Sequence, residues 1–184
     1  MRIRTPGPAA MSLLGVLLAW AAAGVPESRA GDFRVSCPVF ADRGDIPPRY
    51  TCDGADASPP LSIENVPPGA RSLALIVDDP DAPRGTWVHW VVWGIDPKAR
   101  EIREGVLPEG AVQGTNDFGK RRYGGPCPPS GRHRYYFKLY ALDKAVDPGA
   151  GATKARLEAA MKGHIVGKAE LVGLYRRAGK AGAR

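Results

Sequence analysis

The chain has 184 residues, a formal net charge of +7 and 43% hydrophobic residues. Its basic residues are scattered, with small clusters only at residues 120–122 and 176–177, so the sequence lacks the basic stripe of a nucleic-acid-binding protein. The favoured interpretation is a solvated surface. A narrower one is that Lys120, Arg121 and Arg122 raise the local potential for an anionic ligand.

The first 30 residues have the order of a secretory signal. Arg2 and Arg4 precede an apolar segment at residues 12–25, and a Ser-x-Ala sequence then ends at Ala30. The apolar segment is shorter than the about 20 residues of a membrane-spanning helix, which favours cleavage after Ala30 over a retained anchor. We therefore predict an exported protein, periplasmic or secreted, with no transmembrane span after cleavage.

Cleavage would leave 154 of the 184 residues, with a net charge of about +5. That length suits one domain with one hydrophobic core, which we place at residues 31–176. The basic, small-residue segment at residues 177–184 is predicted to be a disordered tail.

The predicted elements are mostly strands. The segment at residues 87–95 is apolar on both alternating faces, which is typical of a strand in the middle of a layered structure. His133 begins the inward face of a later strand. Thr153 is a candidate cap for a helix that ends at Gly163. The predicted strands are residues 33–40, 72–77, 87–95, 134–142 and 164–175, with irregular loops at residues 45–48 and 52–60.

This pattern of strands, Pro-rich turns and one late helix favours a mainly antiparallel β-sandwich with one or two peripheral helices. Simple alternation divides the segment at residues 87–95 into two faces. One face would carry Trp87, His89, Val91 and Trp93, and the other Val88, Trp90 and Val92.

The densest charge lies beside the most apolar strand. Three carboxylates and two prolines occupy residues 78–83, just before the strand that contains His89. Because a buried ion costs several kcal/mol, or roughly that order, unless it is paired, we interpret this segment as one wall of a site. The second wall is predicted at residues 123–135, which include His133.

Three cysteines, Cys37, Cys52 and Cys127, lie in the predicted exported part, where an oxidising compartment favours a disulfide and one thiol is left over. We expect Cys52 to pair with Cys127, because both lie in loops rich in Gly and Pro that should meet near the site, although three pairings remain open. The spacing of the cysteines and histidines is not that of a zinc site, so we expect no metal and no cofactor.

Two regions of the sequence resemble the signature regions of the phosphatidylethanolamine-binding protein family. They are Asp79-Pro80-Asp81-Ala82-Pro83 with Trp87-x-His89-Trp90, and Gly125-Pro126 with His133-Arg134-Tyr135. The segments at residues 111–119 and 124–129 are similar to the bacterial branch, often called Raf kinase inhibitor-like. One departure is Ile63, which stands where the bacterial pattern usually has tryptophan.

The resemblance implies a β-sandwich with a small anion-binding cavity at one edge that accepts phosphate-like groups or phospholipid headgroups. By position, the residues implied to line the cavity or its rim are Asp79, Asp81, Pro83, Trp87, His89, Gly125, Pro126, His133 and Tyr135. The resemblance also implies that a protein partner could be modulated, and that a kinase or protease could be inhibited, although fold alone does not fix function.

Chemistry assigns these residues separate tasks. Carboxylates repel an anion, so Asp79 and Asp81 are expected to orient donors rather than to touch the ligand. His89, His133 and Tyr135 would donate N–H and O–H groups, with further donors from backbone amides. We therefore predict a non-catalytic binding protein with a small anionic ligand and an unidentified natural partner.

Other interpretations of the same residues remain open. His89 could be a core histidine bonded to one aspartate, and the two aspartates could simply bond backbone in a turn. A hydrolase could use Ser58 or Ser130, and a metalloenzyme the Asp/His cluster, but neither has its usual sequence motif. The sequence does not determine the oligomeric state.

Overall fold

The computed structural model describes residues 31–177 and Met1. Apart from Met1 and Arg177, the predicted signal peptide and the predicted tail lie outside the described residues. In the part described, no helix is both long enough and apolar enough to span a membrane. The strands are β1 (Arg34–Ser36), β2 (Gly44–Asp45), β3 (Leu61–Glu64), β4 (Ser72–Asp79), β5 (Trp87–Ile95), β6 (Glu101–Ile102), β7 (Val112–Gln113), β8 (His133–Leu142) and β9 (Ile165–Tyr175), and the α-helix is α1 (Lys154–Met161).

The strands form two sheets. One has three strands in the order β1-β3-β6, and the other has six in the order β2-β9-β8-β4-β5-β7. The pairings are antiparallel except for the short parallel pair of β2 and β9. The predicted fold class, a mainly antiparallel sandwich with a peripheral helix, is confirmed.

The six-stranded sheet is the middle layer of the molecule. All of β4 is buried. On one face, Leu75 and Phe137 belong to the core shared with the three-stranded sheet, and on the other, Ile76 packs in a second core with Leu157 of α1. Strands covered on both sides are apolar throughout, which is why β5 matches its predicted bounds.

His89 lies in a β-bulge of β5. Val77 of β4 pairs with Trp90, and Asp78 pairs with Val88, so His89 is an extra residue without a partner in β4. Its carbonyl oxygen is free of the sheet and accepts instead from the N–H of Gly124, at 3.0 Å.

The bulge changes which side chains share a face. Val91 and Trp93 pack towards α1, whereas the His89 ring faces Tyr135 with the ring centroids 5.2 Å apart. The predicted common face for His89, Val91 and Trp93 is therefore wrong, because one inserted residue reverses the alternation that follows it.

Two predicted elements differ in detail. The first strand ends at Ser36 rather than at residue 40. It is shorter than predicted because Pro38 has no N–H group to donate to a neighbouring strand. Thr153 occupies the N-cap position of α1, but its hydroxyl makes no capping hydrogen bond. The helix begins there through the bond from the Leu157 N–H to the Thr153 carbonyl oxygen, at 3.0 Å.

Asp78 and Asp79 are neighbours on β4 and point to opposite faces. Asp78 is fully buried beside α1. Its carboxylate accepts hydrogen bonds from Lys138 Nζ at 2.7 and 2.9 Å and from Lys154 Nζ at 2.6 Å. This aspartate therefore joins β4, β8 and α1, and only Asp79 remains on the face of the candidate site.

We expect Asp78→Ala to lower the free energy of unfolding by about 2 kcal/mol. The loss should be smaller than for a fully buried ion pair, because the Lys138 and Lys154 side chains are each 21% exposed and can turn to water. Urea unfolding measures the change. Asp45→Ala is the control, since its ion pair with Arg132 is exposed and should contribute less than about 1 kcal/mol. Equal effects of the two substitutions would contradict this account.

Candidate functional site

Three neighbouring strands meet at one edge of the six-stranded sheet. β4 ends at Asp79, and its antiparallel neighbours β5 and β8 begin at Trp87 and His133. Because antiparallel neighbours run in opposite directions, the end of β4 lies between the starts of the other two strands. This topology brings the two predicted walls together around Asp79.

A cavity of about 200 Å³ lies at this edge. Of the predicted ligand-binding residues, it is lined by Asp79, Pro83, Trp87, His89, His133 and Tyr135, and further by Ala82, Phe118, Cys127, Pro128 and Pro129. A larger cavity of about 420 Å³ lies elsewhere, along residues 96–109, and contains none of the predicted site residues. The convergence of polar side chains, rather than volume, identifies the smaller cavity as the candidate site.

Asp79 and His133 form a buried pair. Asp79 is 3% exposed and His133 is 7% exposed, and His133 Nδ1 lies 2.7 Å from Asp79 Oδ2. Because a carboxylate only accepts, Nδ1 carries the proton. The other carboxylate oxygen, Oδ1, accepts the backbone N–H of Asp81 at 2.8 Å. Both oxygens of Asp79 are therefore occupied, and His133 Nε2 is the ring nitrogen left for the cavity.

His89 is held in the same way by a carbonyl group. Its Nδ1 lies 2.6 Å from the carbonyl oxygen of Gly124, so Nδ1 again carries the proton. Burial lowers the pKa of His89 from 6.5, and the Gly124 hydrogen bond and the charge of Asp79 oppose that shift only in part. The free protein therefore holds His89 neutral near pH 7, with an unprotonated Nε2.

Tyr135 places a hydroxyl group in the cavity wall. The residue is fully buried, and among the described residues its hydroxyl is the one buried side-chain N or O atom without a hydrogen-bond partner. Burial raises the pKa of Tyr135 most, followed by the charge of Asp79 and by an interaction with its carboxylate that does not reach the distance and angle of a full hydrogen bond. The hydroxyl therefore keeps its proton and can donate it to a bound group.

Asp81 lies outside the lining of the cavity. Its carboxylate binds the Arg134 guanidinium at 2.6 and 2.9 Å and accepts the Arg134 backbone N–H at 2.9 Å. These hydrogen bonds lower the pKa of Asp81 to about 2. The pair fastens the loop after β4 to the start of β8, next to His133, so Asp81 supports the cavity from outside.

Gly125 and Pro126 also lie behind the lining. The Gly125 N–H donates to Asp56 at 2.6 Å, and the Pro126 carbonyl oxygen accepts from the Cys52 N–H at 3.1 Å. A Cβ on Gly125 would lie 2.6 Å from the carbonyl oxygen of Tyr50, so only glycine fits this approach. Cys52 and Cys127 form a disulfide with Cα atoms 5.4 Å apart, and Cys127 itself lines the cavity.

Two residues without an assigned role in the sequence analysis organise the site. The Phe118 ring meets Trp87 and His89 edge-on, with centroids 5.4 Å away in each case. Asn116 is 3% exposed, and its side-chain amide bonds the carbonyl oxygens of His89 and Arg122 and the N–H groups of Phe118 and Lys120. The available signal was the compact Asn116-Asp117-Phe118-Gly119 turn.

The two serines considered for hydrolytic chemistry do not line this cavity. Ser58 Oγ accepts from the Gly105 N–H at 3.2 Å and lines a different cavity, and Ser130 is exposed in its loop. Within residues 31–177, no group of three or more His, Cys, Asp or Glu side chains is arranged to hold a metal ion.

The sequence of residues 36–176 matches the family model described as phosphatidylethanolamine-binding protein. The chain belongs to the phosphatidylethanolamine-binding protein family. Its fold brings both signature regions of this family to one cavity, the first through residues from the end of β4 to the start of β5 and the second through residues at the start of β8.

Relatives of this family member occur in archaea and bacteria. A UPF0098 protein of Methanothermobacter thermautotrophicus is 57% identical over 144 residues, which cover 76% of this chain and 95% of the relative. A UPF0098 protein of Pyrococcus abyssi is 51% identical over 148 residues, covering 76% of this chain and 83% of the relative.

Two solved structures have the same fold. The phosphatidylethanolamine-binding protein homolog CT736 from Chlamydia trachomatis has 43% identity and a TM-score of 0.77, and the match covers 80% of this chain and 99% of CT736. YbcL of E. coli, described as a new member of the mammalian family, has 31% identity and a TM-score of 0.75, with the same coverage of 80% and 99%.

Proposed function

We propose that this protein is an exported, non-catalytic binding protein whose cavity accepts one small anionic group, a phosphoryl or a carboxylate. The observation that carries the proposal is the buried Tyr135 hydroxyl, which lines the cavity and has no partner among the described residues. A buried polar group without a partner requires a water molecule or a ligand to satisfy it. A ligand oxygen at this position would accept its proton.

The surrounding groups favour an anion over a cation. Asp79 is the carboxylate in the lining, and both of its oxygens already accept hydrogen bonds. His133 and His89 hold their Nδ1 protons on protein acceptors, so each can offer Nε2 to a ligand. A protonated Nε2 donates, and an anion in the cavity would stabilise that protonated form.

The rim of the cavity is apolar. Of the apolar lining residues, Pro83, Phe118 and Pro129 are exposed and Trp87 is half-buried, whereas Tyr135 and the two histidines are buried deeper in the fold. This arrangement suits an anionic group that carries an organic substituent, such as the headgroup of a phospholipid or a small phosphate ester, with the charged end innermost.

The proposal of export is supported by the disulfide. Cys52 and Cys127 lie 75 residues apart in sequence and are bonded in the structure, and such bonds persist in oxidising compartments outside the cytosol. The leader at residues 1–30 agrees with this location by its composition. Fractionation of the native host, with N-terminal sequencing of the purified protein, tests both points.

We predict that affinity for sulfate falls as the pH rises. Sulfate keeps its charge across the histidine range of about pH 5 to 8, so it isolates the titration of the protein. The pKa of His89 is lowered in the free protein, and an anion favours the protonated ring, so binding takes up a proton. For one coupled proton, the affinity should fall by no more than about tenfold per pH unit.

Thermal melting with and without sulfate, at a series of pH values, measures this effect. The ligand-free melt at each pH is the reference, because a depressed histidine pKa by itself makes stability rise with pH. The protection by sulfate should therefore decrease with pH while the reference stability increases. Protection that is equal across the range, or absent throughout, would contradict the proposed function.

A further inference from the structure

A second, smaller cavity adjoins the candidate site. It has a volume of about 90 Å³, and it shares Phe118 and Cys127 with the first cavity. That volume is about three times the space of one water molecule in the liquid. Phe118 therefore borders both cavities.

The second cavity is built on rigid parts of the fold. Both halves of the disulfide, Cys52 and Cys127, line it, and so does Asn116. The buried Asn116 amide holds the Lys120 N–H at 3.0 Å and the Arg122 carbonyl oxygen at 2.8 Å. Asn116 thus fixes the backbone that carries the Lys120 and Arg122 side chains.

The charges in this cavity favour an anion. Lys120 and Arg122 both line it, and Lys120 makes no ion pair with any residue that the structure describes. Asp56 is the one acidic residue in the lining, and its Oδ1 is taken by the Gly125 N–H at 2.6 Å. Its Oδ2 contacts Arg122 at 3.4 Å, which leaves most of the guanidinium N–H groups free.

We propose that this second cavity binds a second anionic group, so that the ligand of the protein carries two anionic groups joined by a short linker that passes Phe118. The inference rests on the proposed function, because it takes the first group to occupy the imidazole cavity. It assigns Lys120 and Arg122 as residues that select bis-anionic over mono-anionic ligands.

Calorimetric titration tests the inference with matched ligands. The probes are the bisphosphates of ethanediol, propanediol and butanediol, and the monophosphates of the same diols. At least one bisphosphate should bind about tenfold or more tightly than its monophosphate, since a hydrogen bond to a charged group commonly changes affinity by that order. Lys120→Ala should remove most of this difference and change monophosphate affinity by less than about twofold.

Arg121→Ala is the matched control. Arg121 has the same charge and lies between the two proposed residues, but its guanidinium lies against Gly151, where an added Cβ would be 2.8 Å from Nη2. It should leave the difference between bisphosphate and monophosphate in place. If Arg121→Ala and Lys120→Ala act alike, the effect is general electrostatics and the subsite does not exist.

The remaining outcomes separate the two proposals. Bisphosphates that bind no more tightly than monophosphates would overturn the second subsite and leave the proposed function standing. Binding of neither class would overturn both. Bisphosphate binding that depends on Lys120 but not on His133 would overturn both the role of the first cavity and the proposal that one ligand occupies the two cavities.

Discussion

Removing the disulfide is expected to lower the free energy of unfolding by about 4.5 kcal/mol, the value that the chain-entropy model gives for a loop of this size. Cys52 and Cys127 are separated by 75 residues, so the cross-link restricts a large part of the unfolded chain. The double variant Cys52→Ser/Cys127→Ser, compared with the parent by urea unfolding without reductant, measures the change. Equal unfolding midpoints would contradict the prediction.

Removing the disulfide should also disturb the cavity, because Cys127 lines it. The loop that carries Cys127 is held in addition by the hydrogen bond from the Cys52 N–H to the Pro126 carbonyl oxygen. Reductant should therefore weaken both stability and sulfate binding in the parent protein. Cys37 is the free cysteine, and burial raises the pKa of its thiol. Cys37→Ser should keep the response to reductant, which separates the effect of the disulfide from that of a general change at a cysteine.

Much of the middle layer could be predicted from the sequence. β5 matches its predicted bounds, and β4, β8 and β9 differ from theirs by at most two residues. These strands are long, and apolar residues or strict alternation mark their ends. β2, β6 and β7 have two residues each, too few for any period to appear, and they form only because a neighbouring strand is already in place.

The sequence indicated which residues belong to the site, but not how the strand pairing arranges them. Density of charge and the family resemblance indicated Asp79, His89, His133 and Tyr135, which the structure places around one cavity. The three aspartates of residues 78–81 nevertheless make separate contacts. Asp78 faces α1, Asp79 faces the cavity, and Asp81 binds Arg134.

These contacts depend on the register of the strands, and the register is set by pairing partners far away in the chain. The bulge at His89 is a clear case, because the sequence of β5 alternates as well without a bulge as with one. Phe118 and Asn116 are local in sequence to each other but act on His89 through contacts made only in the fold. No periodicity within their own segment marks those contacts.

His133→Ala is expected to lower the affinity for sulfate by about 100-fold, the effect of truncating one partner of a buried hydrogen-bonded pair. The variant loses the Nε2 donor, and it also frees the Asp79 carboxylate, which His133 Nδ1 now occupies at 2.7 Å. An unoccupied negative charge in the cavity would repel the anion. Titration at a pH near 6 measures the loss.

His164→Ala is the control for this variant. His164 has the same arrangement, with its Nδ1 3.0 Å from Asp143, but it lies near the opposite end of β8 and outside the lining of the cavity. Its removal should leave sulfate affinity unchanged. A comparable loss in both variants would mean that the anion binds by net charge and not in the cavity.

Asp79→Asn distinguishes a ligand-binding histidine from a merely structural pair. Asp79 Oδ1 accepts the Asp81 N–H at 2.8 Å, so the asparagine oxygen must take that place and its NH₂ group must face His133 Nδ1. Nδ1 then has to accept, and the proton of neutral His133 moves to Nε2, which faces the ligand. With the negative charge also removed, Asp79→Asn should bind sulfate at least as tightly as the parent at pH near 8, where the parent binds least. Weaker binding in this variant at that pH would show that the carboxylate, rather than the orientation of the imidazole proton, governs the cavity.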